Sequence, residues 1–198
     1  MRQRTVMIAA FLALCPWLSA IAEPIGTTRV VVVPVVQDDR SAFPTPVITK
    51  AVVEAIEKFL GRYVVVVDKS KLRDSSFELW DHPFREGDIS SLLGVVNKSP
   101  EMSASIDAIV FSSVGGILKE GYSGPIVESK VNLRAIEVGT SRVLGMASQE
   151  KSILLRLSEN RESVIVEEIK DPAEMAAHDL VKILLKAEAT PPRPYRVK

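Results

Sequence analysis

Two valine-rich runs limit the folds that this chain can adopt. Both Arg29–Val36 and Tyr63–Val67 are almost continuous stretches of β-branched residues. Such runs are typical of strands that are buried on both faces of a sheet. Pro34 interrupts the first run, and proline cannot donate a hydrogen bond to a sheet ladder. We therefore expect a strand end, a bulge or one unpaired side at Pro34.

An amphipathic helix is predicted between the two runs. Thr45 can cap it, and Pro46 suits the first helical position, where its missing N–H has no partner to lose. Gly61 is a plausible stop. The apolar stripe follows the helical period and consists of Val47, Ile48, Ala51, Val52, Ala55, Ile56, Phe59 and Leu60. Strand, helix and strand in this order favour a sheet with helices packed on it.

The second half of the chain indicates antiparallel pairing. Apolar and polar residues alternate over residues 128–135, which is typical of a strand with one face in water. A turn at Gly139–Ser141 leads to a hairpin partner over residues 142–152. A third strand is predicted at Asp107–Val114, and Gly115–Gly116 is expected to bulge or bend it before the chain continues.

Three further elements complete the predicted fold. A short helix is expected over Asp88–Asn97, and Val164–Val166 resembles a short strand. The last helix is expected to have Asp171 as its cap and Pro172 at its start. Together the elements predict an α/β (α+β) fold: a mixed sheet of about five strands with helices packed on one or both faces.

The N-terminus resembles a secretory signal peptide. Arg2 and Arg4 precede a short apolar run, Val6–Leu14, and Ala20–Ala22 is a small-x-small cleavage site. The apolar run is shorter than the roughly 20 residues that span a bilayer. Residues 1–22 are therefore predicted to be a cleaved signal peptide, which leaves Glu23 as the first residue of a periplasmic protein.

Cys15 is the single cysteine, and it lies inside the signal. Leu14 precedes it and Pro16 follows it, whereas lipid attachment needs a small residue before the cysteine, so we expect no lipid there. The mature chain then has no cysteine and no disulfide. Residues 23–190 are predicted to form a single α/β domain, and the proline-rich residues 191–198 a disordered tail.

Charge and motifs argue against several functions. The 25 basic and 25 acidic residues balance, which is unlike a nucleic-acid-binding protein. No long apolar run follows the signal, so no membrane span is expected. Of the two histidines, His178 lies on a helix and His82 follows Asp81, which alone is a weak metal signal. No nucleophile elbow or phosphate loop is present. We expect no enzyme activity, no metal and no cofactor.

A long loop is the best candidate for a binding site. Residues 68–87 separate two predicted elements and carry aromatic side chains in a chain that has only 6% aromatic residues. Phe77, Trp80 and Phe84 are predicted to be the partner-binding residues, because aromatic anchors dominate protein interfaces. The alternative is that these rings cover the rim of the core.

The order of elements resembles a known envelope family. The strand at Asp107–Gly115 and the hairpin at Lys130–Gly145 are similar to those of the TolB amino-terminal domain, the curli secretion lipoprotein CsgG and the activator LpoB. The resemblance covers about Val30 to Ala187 and implies an α/β sandwich like TolB amino-terminal and anticodon-binding domains. The chain departs from the pattern of these proteins, since we expect neither a following β-propeller nor a lipobox cysteine in it.

This resemblance implies a protein that acts by binding. We expect an exported, periplasmic, non-enzymatic accessory of a bacterial envelope machine, in secretion, surface-appendage assembly or cell-wall synthesis. Its partners would be envelope proteins, with outer-membrane association and oligomerisation both compatible with the resemblance. The alternative is a small periplasmic hydrolase or a small-ligand-binding protein.

Overall fold

A computed structural model of the protein describes residues 27–36, 45–72, 80, 84–122, 124–155 and 160–188. Six strands and five helices are found within these residues. The strands are β1 (Arg29–Val36), β2 (Val65–Val66), β3 (Phe84–Arg85), β4 (Ala108–Gly121), β5 (Gly124–Glu137) and β6 (Val143–Leu154). The helices are α1 (Pro46–Leu60), α2 (Ile89–Lys98), α3 (Pro100–Ser105), α4 (Arg161–Glu168) and α5 (Lys170–Glu188).

The strands form one mixed sheet in the order β2-β1-β4-β5-β6, and β3 also pairs with β1. Strands β2, β3 and β4 run parallel to β1. Strands β4, β5 and β6 are successive antiparallel neighbours. The predicted mixed α/β fold is therefore confirmed.

Pro34 lies at a break in the pairing of β1. On one edge, β1 pairs with β4 from Val30 to Val35. On the other edge, within the described residues, β2 pairs only with Arg29 and Val30, and β3 only with Val35 and Val36. The missing N–H of Pro34 falls in the gap between β2 and β3, so the expectation of one unpaired side is met.

Helices cover both faces of the sheet, but to different extents. One face packs against α1, α4 and α5, and the other packs against α2 and α3. The centre of β1, from Val30 to Val33, is fully buried between these layers. The buried side chains that β4 contributes to the smaller layer are Ile109 and Phe111. The described helices therefore cover the far end of the β4–β5–β6 sheet on one face only.

The β4–β5 hairpin is longer and more regular than predicted. Its pairing continues without a shift from Ala108 opposite Glu137 to Gly121 opposite Gly124. The expected bulge at Gly115–Gly116 is therefore wrong. Glycine at these positions leaves the ladder intact because both residues keep their cross-strand partners. The irregularity lies instead between β5 and β6, beside Ala135 and Ile136.

The second valine run is not the buried strand that its composition predicted. Only Val65–Val66 pairs with β1, and the Val65 side chain is 38% exposed. The backbone N–H groups of Tyr63 and Val64 both donate to the carbonyl of Leu60, at 2.8 and 2.9 Å. These bonds hold the first part of the run in the turn after α1, which leaves a two-residue edge strand.

The segment predicted as a short strand at Val164–Val166 is helical. Asn160 caps α4, because its side chain accepts a hydrogen bond from the N–H of Glu162 at 3.1 Å. Ile165 and Ile169 are buried against the larger helical layer. Four-residue spacing of the buried side chains suits a helix, which a short apolar run alone could not reveal.

The predicted cap of the last helix has a different role. Helix α5 begins at Lys170, before Asp171. The Asp171 carboxylate accepts a hydrogen bond from Lys151 of β6 at 2.9 Å, and Glu168 also pairs with this lysine at 2.6 Å. The two carboxylates raise the pKa of Lys151. This contact ties β6 to the junction of α4 and α5.

An ion pair at the start of the sheet makes the folding stability depend on pH in the acidic range. Arg29 of β1 holds Asp107 through its guanidinium at 2.8 and 3.0 Å, and its backbone N–H adds a bond at 2.7 Å. These donors lower the pKa of the Asp107 carboxyl below its ordinary value of 3.8. The stabilisation is thus complete above the unfolded-state pKa and is lost as the pH falls through the folded-state pKa.

We therefore expect Asp107→Asn to flatten the acid side of the stability profile. The wild-type melting temperature should fall between about pH 5 and about pH 2 more steeply than that of the variant. Thermal melting followed by circular dichroism over this range measures both slopes. Parallel curves would show that the pair is too solvent-screened to contribute.

Candidate functional site

The candidate site is the surface of the β4–β5–β6 sheet that none of the described helices covers, here called the open face. It carries alternate side chains of the three strands, on the side opposite α1 and α5. Cross-strand partners form rows across it, and the rows follow from the register of the two ladders. The rows are Phe111–Arg134–Met146, Ser113–Asn132–Ser148, Gly115–Lys130–Glu150, Ile117–Glu128–Ser152 and Lys119–Ile126–Leu154.

Paired charges extend from the middle of the open face to its distal end. Lys130 bonds Glu150 across the β5–β6 ladder, and Lys119 bonds Glu128 diagonally across the β4–β5 ladder, each at 2.6 Å. All four side chains are well exposed, so these pairs add little to stability. They leave the middle of the face electrically neutral, as is typical of a sheet surface in water.

The distal end of the open face carries exposed apolar side chains beside the ion pair of Lys119 with Glu128. Ile117 is 63% exposed and Leu154 is 46% exposed, and Ile126 lies beside them. We call these three residues the distal apolar patch. Tyr122 is fully exposed at the nearby hairpin turn. Single exposed apolar residues are common, but a group that shares one face marks a place where a partner could bind.

The inner end of the open face is a depression of about 290 Å³. It lies where β1 ends and β4 continues past it, with Val35 of β1 in its wall. Crevices beyond the carboxyl ends of parallel strands are common ligand sites in α/β sheets. The apolar side chains around it are Val35, Ile89, Phe111 and Met146.

A polar row crosses the floor of the depression. Asn132 of β5 lies between Ser113 of β4 and Ser148 of β6. The Ser148 hydroxyl donates to the Asn132 carbonyl oxygen at 2.8 Å, and the Asn132 amide donates to Ser113 at 3.5 Å. The side chains therefore form one hydrogen-bonded line over three strands.

Arg134 is the charged group nearest this row. Its side chain is 29% exposed and lies in the row that also holds Phe111 and Met146. One nitrogen of its guanidinium lies 3.8 Å from an oxygen of Glu86, whose side chain is 79% exposed. Charge-assisted hydrogen bonds are about 1 Å shorter, so Glu86 is a loose counter-ion for this arginine.

Of the three residues predicted to bind a partner, the structure describes two, and both lie in the core. Phe77 lies outside the described residues. Trp80 and Phe84 are 3% and 9% exposed and belong to the core beneath α2 and α3. Their burial agrees with the core-covering alternative, and a contact with a partner stays a prediction. The end of the same segment does reach the site, since Glu86 lines the depression beside Ile89, the first residue of α2.

The two histidines considered as metal or catalytic residues form no such site within the described residues. His82 lies outside the described residues. His178 is half exposed on α5 and meets the ring of Phe59 edge-on, with centroids 6.0 Å apart. Among the described residues, no group of three or more histidine, cysteine, aspartate or glutamate side chains is arranged to hold a metal ion.

Arg134, Asn132 and Met146 were not singled out from the sequence. Arg134 and Asn132 were recognised only as members of the wet face of β5. Nothing in the sequence shows which strand flanks them, and the depression exists because β1 stops while β4 continues.

Of the described helices, none combines the length and apolar character that a membrane crossing requires.

Comparisons with known proteins show similarity of fold only. No protein-family model and no curated protein matches this chain. A solved homologue of the neuraminyllactose-binding hemagglutinin from Helicobacter pylori is 11% identical, with a TM-score of 0.45; the match covers 87% of this chain and 96% of that one. A lipoprotein from Neisseria meningitidis is 14% identical over 76% of this chain and 99% of that one, with a TM-score of 0.42.

TolB from Acinetobacter baumannii is also among the similar structures. It is 12% identical, and the match covers 84% of this chain but 29% of TolB, with a TM-score of 0.32. TolB is also one of the proteins that the sequence pattern resembles. Matches this distant carry no argument about function, so the function has to be argued from the chain itself.

Proposed function

We propose that the protein is an exported, non-enzymatic accessory of a bacterial envelope machine and that it acts by binding another protein through the open face. The machine would serve secretion, surface-appendage assembly or cell-wall synthesis. The observation that carries the proposal is the long β4–β5–β6 sheet, whose outer half has described helices on one face only. The proposal of export rests on the signal-like residues 1–22.

The distal apolar patch supports binding of a protein. Exposed Ile117 and Leu154 gain about 25 cal/mol for each Å² of apolar surface that a partner removes from water. The neighbouring charged pairs are neutralised within the chain, so they can form the polar rim of an interface without leaving an unpaired charge. Strand β6 is also the edge of the sheet, where an extended segment of a partner could pair.

The test is co-purification of the tagged protein from its own envelope. We compare wild type with Ile117→Ser/Leu154→Ser, which makes the distal patch polar. The variant should lose the co-purified partner, because serine removes the apolar area that the interface would bury. The intact mass of the recovered protein should correspond to a chain that begins at Glu23 without a lipid.

A matched control is available on the helical surface. Val47 of α1 is 54% exposed and Met175 of α5 is 56% exposed, so Val47→Ser/Met175→Ser removes similar apolar area elsewhere. This control should keep the partner, and both double variants should melt like wild type. Equal loss of the partner in the two variants would contradict a role for the open face.

A small-ligand protein remains a second candidate, because the depression is a concave site with convergent polar groups. Sites of this kind place a few hydrogen-bonding side chains among apolar ones. The chemistry of those side chains decides which ligand would fit.

A further inference from the structure

We infer that the depression binds a carboxylate group attached to an apolar chain, with Arg134 as its main cation. The groups around the depression combine an arginine, a row of hydroxyl and amide side chains, and an apolar wall. The carboxylate could belong to the C-terminus of a bound peptide or to a small organic acid. The inference depends on the depression alone and not on the distal apolar patch.

The guanidinium of Arg134 has capacity for a ligand. Its recorded partner among the described side chains is Glu86, at 3.8 Å, which is too far for a hydrogen bond. Arginine presents five N–H donors in a planar fork that matches a carboxylate in a bidentate pair. Because Glu86 is 79% exposed, it can turn into solvent when a ligand carboxylate arrives.

The polar row adds donors at the correct side of the arginine. Asn132 lies two residues before Arg134 on the same face of β5, roughly 7 Å along the strand. Its amide group has two N–H donors, and the one recorded contact is the long bond of 3.5 Å to Ser113. A carboxylate held by Arg134 would thus meet the second amide N–H of Asn132, while the Ser148 hydroxyl stays bonded to the Asn132 carbonyl oxygen.

The apolar wall selects for more than a bare anion. Phe111 and Ile89 are 3% and 6% exposed at the base of the depression, whereas Met146 is 65% exposed at its rim. A flexible methionine can close over a ring or a short aliphatic chain. An inorganic anion would use the arginine but would leave this wall in water, so it should bind more weakly.

The competing charges are Glu86 and the outer pair of Lys130 with Glu150. Removing Glu86 should strengthen binding, since a like charge next to the ligand disappears. Removing Arg134 should weaken binding strongly. Lys130 is 50% exposed on the same strand and face, two rows from Arg134, so it serves as a control for general positive charge.

The test titrates the purified protein with matched probes and follows backbone amide shifts by NMR. 3-Phenylpropionate should saturate with shifts at β4, β5 and β6, whereas 3-phenylpropionamide and inorganic phosphate should bind at least tenfold more weakly. Arg134→Gln should weaken binding of the acid at least tenfold, Glu86→Gln should tighten it about threefold, and Lys130→Gln should change it less than twofold.

A short peptide that ends in phenylalanine, as free acid and as amide, distinguishes the sources of the carboxylate. Tighter binding of the peptide acid assigns the site to a protein terminus, and tighter binding of 3-phenylpropionate assigns it to a small acid; both outcomes support the inference. Equal binding of acids and amides, equal effects of Arg134→Gln and Lys130→Gln, or weaker binding by Glu86→Gln would overturn it. Melting curves of all three variants show that they are folded.

The inference and the proposed function can fail separately. The probes test the depression in the absence of any partner, and Ile117 and Leu154 lie outside it. Loss of the partner in the distal variant with no binding of the probes would therefore leave the proposed function standing and would remove only the carboxylate site.

Discussion

Val32→Asp is expected to prevent folding. Val32 is fully buried in the central part of β1, within the core formed with α1, α4 and α5. An unpaired carboxylate there costs several kcal/mol, which is a large part of a typical stability of about 5–15 kcal/mol. We expect no cooperative unfolding transition in urea, as followed by circular dichroism.

Val65→Asp is the matched control for this change. Val65 is 38% exposed in the short edge strand β2, so its new carboxylate stays in water. The variant should keep the wild-type transition with a loss of about 1 kcal/mol or less. If Val32→Asp and Val65→Asp unfold alike, the described placement of the valines is wrong.

Trp80→Ala should lower stability by about 3–5 kcal/mol, because it leaves a cavity in the core beneath α2 and α3. Trp80 is 3% exposed and packs in that core. For a chain of this size the melting temperature should fall by roughly 10 °C. Thermal melting of the two proteins measures this difference.

Trp80→Phe separates the apolar contacts of the ring from its N–H group. The indole nitrogen of Trp80 is buried and has no hydrogen-bond partner in the described structure. Phenylalanine keeps most of the apolar contacts and removes this donor, so Trp80→Phe should be much less destabilising than Trp80→Ala. A Trp80→Ala variant that melts like wild type but loses its partner would instead place Trp80 in an interface.

The fold was predictable where local signals and burial agree. Thr45 accepts a hydrogen bond from the N–H of Ile48, and α1 begins at Pro46 as expected. The alternation along β5 also gave the correct inner face, since Val131, Leu133 and Ala135 are buried. Both predictions rest on a repeated pattern over many residues, so a single tertiary contact could not overturn them.

Two of the wrong predictions came from short apolar runs. Val65 and Val31 both lie in valine-rich runs, so the sequence predicts the same burial for both. Tyr63 and Val64, however, are held in the turn after α1, and only two residues of the second run pair with β1. Val164–Val166 is equally short, and the cap at Asn160 decides that it is helical. In both cases the neighbouring chain, and not the run itself, sets the structure.

The depression could not be predicted from the sequence. Val35, Arg134 and Met146 are far apart along the chain, and they meet because β1 ends where β4 and β5 continue. The sequence instead favoured the aromatic residues of the 68–87 loop as the binding site, although Trp80 and Phe84 are buried. Strand lengths and the order of strands in the sheet decide which polar residues come together, and a local sequence pattern predicts neither of them.

Photo-crosslinking in living cells tests the central proposal most directly. A photoreactive residue is placed at Ile117 or Ser148 on the open face, and at Val47 on the outer surface of α1 as the control. We expect both open-face positions to crosslink the same envelope protein, identified by mass spectrometry, and position 47 to give no such product. Crosslinking of that protein from position 47, with none from positions 117 and 148, would contradict binding through the open face.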